Sequence, residues 1–290
     1  MIVAAPARRP RTARRSRGVA WRYAAAMGYL AFVLLPVLYM VLVSLQDSVS
    51  AGTVLLPKSI HWQTFAEMWS TVDLGVYLRN SLLIAILTGV CASVLALGAA
   101  YVVARFRFRF RNPFRISLLA TQAVPGVLLL LPLFVIYVVI QHTLAIHIVG
   151  SYFGVVLTYM TFALPFAIWM LSVYVASLPK EIEEQALVDG AHRYEVLRYV
   201  TFPLAVPGLV VTFIFSFLLA WNDVLFASVL TSPSTRTIGV GLQNYIADNT
   251  LPLWNQLMAA SIISAVPAVV LFMIVQKWIV AGLAAGSTKG

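Results

Sequence analysis

The sequence predicts an all-α, polytopic membrane helix bundle with six transmembrane helices, from its composition, the length of its apolar runs and the lack of strand-like alternation. Of 290 residues, 61% are hydrophobic and 10% charged, with a mean hydropathy of +0.90. That leaves too few polar side chains to coat a water-soluble domain. Apolar runs of about twenty residues, enough to cross roughly 30 Å of hydrocarbon, recur along the chain. None has the two-residue period of a barrel strand, and lipid-exposed backbone must then satisfy its hydrogen bonds as helix.

Taken in order, residues 1–22 read as a basic, flexible tail, since Pro6, Pro10 and the repeated arginines give it little to fold around. Residues 23–290 form the transmembrane domain, with spans expected at 23–45, 81–104, 116–140, 151–178, 207–231 and 258–282. An arginine-rich start before an apolar run also marks export signals. Here the run is longer than the roughly 7–15 residues of a signal core, and no small-x-small site follows before Asp47, so it reads as a retained helix. Pro36, Pro125, Pro132, Pro165 and Pro267 interrupt spans, each removing a backbone donor and favouring a kink. Kinks suit helices that reorient around a cavity and equally suit static packing.

The net charge of +10 raises the question of nucleic acid, and its distribution answers it. Seventeen of the twenty Lys and Arg fall before the first span, after the second, after the fourth or at the C-terminus. Only Lys58, Arg79 and Arg236 fall on the other side. The positive-inside rule accounts for this with both termini and the loops holding Arg109 and Glu184 in the cytoplasm. The charges flank spans and form no separate domain, which excludes nucleic acid as a partner and leaves membrane lipid. Cys91, the single cysteine, lies inside a span, so no intramolecular disulfide exists.

Residues 178–206 are the longest polar stretch. Glu181, Glu183 and Glu184 suit the N-terminus of a helix that Gly190 ends; a second run over 191–200 is expected to stop before Pro203 and Pro207. Two short helices joined at a glycine, offering Ile182, Ala186, Leu197 and Val200, fit a groove on another protein; an amphipathic loop resting on headgroups fits the same pattern. In the fifth span Trp221, Asn222 and Asp223 stand out, because an uncompensated carboxylate in hydrocarbon costs about 2.5–3.5 kcal/mol. They point either to a polar path across the membrane able to bind hydroxyl groups or to a polar network fixing an interface with another membrane chain. His61, His142, His147 and His192 lack metal-ligand spacing, and no nucleophilic catalytic set is present.

Glu184, Gln185, Ala186, Asp189, Gly190 and Ala191, followed after nine residues by Val200, Thr201, Phe202 and Pro203, resemble the EAA loop of bacterial ABC-importer permeases. Gln185 replaces an alanine of that signature, and Val200 and Phe202 replace Ile and Leu. Arg79-Asn80-Ser81, Ala220-Trp221-Asn222-Asp223 and the ending GLAAGSTKG look like the carbohydrate-uptake class, close to the smaller permease of maltose transporters.

The resemblance implies a subunit of the bacterial inner membrane working with a second permease, two ATPase subunits and an extracytoplasmic solute-binding protein. It assigns ATPase coupling to Glu184, Gln185, Ala186, Asp189, Gly190, Ala191 and Pro203, with Glu184 anchoring the first loop helix by polar contacts within the loop or to the ATPase. It implies no cofactor on this chain, ATP and Mg being used by the ATPase partners. In keeping, the sequence has no G-x-x-x-x-G-K-[ST] phosphate loop. A stand-alone secondary transporter would instead show paired broken helices and several intramembrane charges. Among importers, a non-sugar solute such as a glycerol phosphate is the other cargo. The stretch 46–78, with Trp62, Phe65 and Trp69, is expected outside the membrane and partly helical, receiving the binding protein or lying on the surface.

Overall fold

Long apolar runs leave a backbone in lipid no hydrogen-bond partner but itself, and every such run in this chain is helical. The computed structural model describes residues 12–48, 51–52, 56–57, 59–249 and 251–287. Arg8, Arg9 and Arg11 of the basic tail, Lys58 and the last three residues, Lys289 included, lie outside the described residues. Six helices are long and apolar enough to cross a membrane: Trp21–Ser44, Leu74–Arg105, Gly126–Leu144, Tyr152–Ser177, Arg193–Asn222 and Trp254–Gln276. Among the described residues the only extended pairing is an isolated bridge between Gly150 and Thr231.

The elements run α1 (Thr12–Ser44), α2 (Thr64–Thr71), α3 (Leu74–Arg105), α4 (Arg111–Gln122), α5 (Leu130–Leu144), α6 (Tyr152–Ser177), α7 (Lys180–Val188), α8 (Arg193–Glu195), α9 (Phe202–Asn222), α10 (Leu225–Leu230), α11 (Ile238–Asp248) and α12 (Trp254–Ser287).

Several boundaries differ from expectation, and α3 and α12 start earlier than expected, at Leu74 and Trp254. α1 begins at Thr12 rather than near residue 23, because no proline stands between Pro10 and the span and arginine and alanine propagate helix well. The third span is not continuous over 116–140. α4 ends at Gln122, Pro125 sets an extended ψ of 118°, and a 3₁₀ turn over Gly126–Leu129 re-enters helix as α5. The second loop helix does not stop before Pro203. α8 passes through a π-helical turn, Val196–Thr201, directly into α9, and this wider turn stands just before Pro203, whose ring and missing N–H disturb a regular α ladder. Finally, α9 ends at Asn222, so Asp223 is its extended C-cap rather than a residue inside the span.

Two compact units divide the chain, one formed by residues 1–67 and 253–262, the other by residues 68–252 and 263–290. In the first, the Asn255 side chain donates to the Gln46 carbonyl at 3.1 Å and to Thr64 Oγ1 at 3.4 Å, and Gln256 donates to Glu67 at 3.0 Å. In the second, α3, α6 and α9 pack mutually and α4 lies on α6. Gly89 of α3 lets α9 approach closely: a Cβ there would stand 2.7 Å from the Phe213 ring.

Two apolar clusters fill this unit. One, around Ile84, Tyr159, Phe217 and Phe226, lies toward the α9 C-terminus. The other, around Ala96, Ala100, Ala167, Leu171 and Ala205, lies toward the α3 C-terminus, where small residues allow close helix contact.

Candidate functional site

The polar stretch after α6 folds as an elbow. α7 carries Glu181 and Glu183 in its first turn, where they complement the helix dipole. It ends in a left-handed glycine cap. Gly190 has φ +92°, and the Ala191 N–H donates back to the Ala186 carbonyl at 3.0 Å. A left-handed φ is what only glycine reaches without a Cβ penalty, which explains the residue type at the bend. The His192 N–H then donates to the Glu195 carboxylate at 2.7 Å and starts the helix that becomes α9.

A buried ion pair holds the elbow. Arg105, the last residue of α3, meets Glu183 through Nε–Oε2 and Nη2–Oε1, both at 2.9 Å, with each side chain 5% exposed. Arg105 Nη2 also donates to the Leu178 carbonyl at 3.2 Å, and the Thr201 hydroxyl donates to Glu183 Oε1 at 3.1 Å. One carboxylate thus ties α7 to the end of α3 and to the π turn before α9. The fork-to-carboxylate geometry is directional as well as strong.

Burial of Glu183 decides which face of α7 is free. At about 100° per residue, Ala186 and Leu187 share its face and are half-buried, while Glu184, Gln185 and Val188 point away and are exposed. Val188 is 87% exposed and Tyr194, across the bend, 66%. Asp189 and Gly190 are exposed too, Ala191 is half-buried and Pro203 is exposed in the first turn of α9. Within the loop the anchoring contacts are made by the neighbouring Glu183, and Glu184 is exposed. Leu197, expected to be available to a partner, packs into the core beside α3. Nothing in the sequence separates the two glutamates, because Arg105 lies 78 residues away.

At the other end of α9, Trp221, Asn222 and Asp223 diverge. Trp221 stacks on Phe217, with ring centroids 5.5 Å apart and planes 11° apart, and Asn222 is exposed. Asp223 Oδ2 accepts the Tyr159 hydroxyl at 2.8 Å and the Ala227 N–H at 3.1 Å, capping α10. Its carboxylate has no cationic partner among the described residues and lines a cleft of about 290 Å³ with Thr121, Gln122, Tyr159 and Phe162. The break at Pro125 borders this cleft, since Gly126 is part of its wall.

Asn80 and Ser81 are buried joints. Asn80 donates to the Ser234 and Arg236 carbonyls at 3.0 and 2.9 Å and accepts from Tyr152 at 2.6 Å, while Ser81 accepts from the Ile238 N–H at 2.7 Å. They pin the loop before α11 to the start of α3. Among the described residues no His, Cys, Asp and Glu group has metal-binding geometry.

The family model described as "Binding-protein-dependent transport system inner membrane component" matches residues 92–284, from mid-α3 to the end of α12. The chain belongs to this family. Among its relatives, the inner membrane ABC transporter permease protein YcjP of Escherichia coli (strain K12) is 33% identical over 268 residues, covering 90% of this chain and 93% of its own length. The diacetylchitobiose uptake system permease protein DasC of Streptomyces coelicolor is 33% identical over 248 residues, 84% of this chain and 86% of that one. The maltose/maltodextrin permease protein MalG of Yersinia pestis is 32% identical over 276 residues, 90% of each. A chain of the solved bacterial ABC transporter that imports the acidic polysaccharide alginate superposes with a TM-score of 0.76 over 93% of this chain and 99% of its own, at 22% identity. It shares the fold of this inner membrane component.

Proposed function

We propose that this inner membrane component is the permease subunit of an ATP-driven importer, forming with a second permease the path for a sugar or oligosaccharide delivered by a solute-binding protein. The observation that carries it is the clamped elbow: a short helix with an exposed polar and apolar face, ended by a left-handed glycine and joined by one buried ion pair to α3 and α9. A partner pressing on α7 moves the membrane helices with it. The relatives named for diacetylchitobiose and maltodextrin support a carbohydrate cargo. The Asp223 carboxylate, with no cationic partner among the described residues, favours a neutral sugar over a glycerol phosphate, because like charges repel.

ATP and Mg would be used by two separate ATPase subunits, with Glu184, Gln185, Val188 and Tyr194 facing them. Both termini and the elbow would lie in the cytoplasm. The test is Gly190→Asp in the assembled transporter. The chain should still insert and accumulate, because the added Cβ meets nothing within 4 Å and Asp bears the strain of a left-handed φ better than most side chains. Uptake should vanish and the ATPase subunits should leave the membrane fraction. Normal uptake with normal ATPase association would defeat the coupling role.

A further inference from the structure

Five arginines fall within residues 105–115, and the structure engages only two of them as architecture. Arg105 is spent on Glu183, and Arg111 donates to the Val103 carbonyl at 2.7 Å and the Ala104 carbonyl at 3.4 Å, closing the C-terminus of α3. Arg107, Arg109 and Arg115 have no ion pair among the described residues; Arg109 does no more than lie 5.9 Å over its neighbour Phe110. Topology alone would ask for positive charge here and for no particular shape.

The shape is specific. Arg107, Arg109, Arg111 and Asn112 line a cavity of about 230 Å³. A second cavity, of about 310 Å³, shares Asn112 and continues past Arg115 along Ile116, Leu119 and Trp169. No acidic residue lines either one. An open cationic recess adjoins, at Asn112, an open apolar and aromatic groove along α4.

The surroundings are apolar where a water-facing patch would be polar. Phe110 and Ile116 are each 67% exposed, and Phe106, Phe108 and Phe114 are also exposed between the arginines. Alternating Arg and Phe at the end of a membrane helix suits the headgroup boundary, with rings among the upper acyl carbons and guanidiniums at phosphate level.

We propose that the α3–α4 junction is a binding site for one anionic phospholipid, its phosphate held by Arg107, Arg109 and Arg115 and one acyl chain lying along Ile116, Leu119 and Trp169. Seated there, the lipid bridges the end of α3, which carries Arg105 and hence the elbow, to α4 and α6. Occupancy then bears on the segment that moves the membrane helices.

The test uses the full chain purified in detergent and phosphatidylglycerol as probe, with bound lipid counted by native mass spectrometry. Arg107→Gln/Arg109→Gln/Arg115→Gln should weaken the tightest phosphatidylglycerol about a hundredfold, roughly fivefold per arginine. Phosphatidylcholine should bind weakly to both proteins. A variant removing equal charge from the tail, Arg8→Gln/Arg9→Gln/Arg11→Gln, should leave that tightest site unchanged. Equal loss in the tail variant, or equally tight phosphatidylcholine, would overturn the site. Inorganic phosphate that fully displaces the lipid at millimolar concentration would make it a free-phosphate site and overturn the lipid assignment. Phosphatidylglycerol with brominated chains should quench tryptophan fluorescence less in Trp169→Phe, and an identical fraction quenched would remove the groove. If the triple arginine variant kept the lipid but lost its ATPase partners, the arginines would face protein instead.

Discussion

Glu183 concentrates the chemistry of the elbow in a single residue. Its carboxylate accepts from Arg105 on both oxygens and from Thr201, in surroundings that exclude water. Removing one member of such a pair strands a buried charge, whereas removing both can be nearly neutral. Glu183→Ala should therefore lower stability by about 3–5 kcal/mol, and Arg105→Met/Glu183→Leu should recover most of it. Thermal unfolding in detergent, followed by tryptophan fluorescence, measures both; an unchanged midpoint in Glu183→Ala would show that the pair does not support the elbow. Gly190 separates backbone strain from docking. Gly190→Asn should fold with a small loss of stability, while Gly190→Val, holding a branched side chain at φ +92°, should cost more, about 1–2 kcal/mol. Loss of uptake in the asparagine variant, with stability intact, would come from the exposed face rather than from the fold.

At the level of elements, expectation and structure part at the ends of helices. Asp223 lies at the C-cap of α9 and caps α10, so its carboxylate is both a joint and one wall of the cleft. Asp223→Asn retains an oxygen acceptor for Tyr159 and the Ala227 N–H while removing the charge. The variant should accumulate at normal levels, and sugar uptake by the assembled transporter should show a raised KM. Unchanged kinetics would confine Asp223 to architecture. The orientation of α7 and α11 is tested by single cysteines in a Cys91→Ser background. An impermeant maleimide added to intact cells should modify position 248, at the end of α11, and spare position 184, in α7. Modification of 184 from outside would invert the topology and place the elbow away from any cytoplasmic ATPase.

For the whole molecule, the absence of a phosphate loop from the sequence means that the chain by itself should neither hydrolyse ATP nor drive uptake in liposomes. Uptake by the lone chain would make it a secondary transporter despite its family. The helical class, the six apolar spans and the residues of the elbow were legible in the sequence, because each rests on local physics. Apolar length reports the bilayer, and a glycine after an acidic helix-forming run reports a left-handed cap. The break at Pro125 was half-legible: a proline permits either a kink inside one helix or a new start, and packing of α4 on α6 chose the second. What tertiary structure alone decided are the pairings across distance. Glu183 rather than Glu184 finds Arg105, Asp223 finds Tyr159, and Asn80 finds the loop before α11. Two adjacent glutamates have the same chemistry and the same helix propensity. They differ by about 100° of rotation on α7, and only the packing of α3 and α9 beneath that helix determines which carboxylate is buried and which is left for a partner.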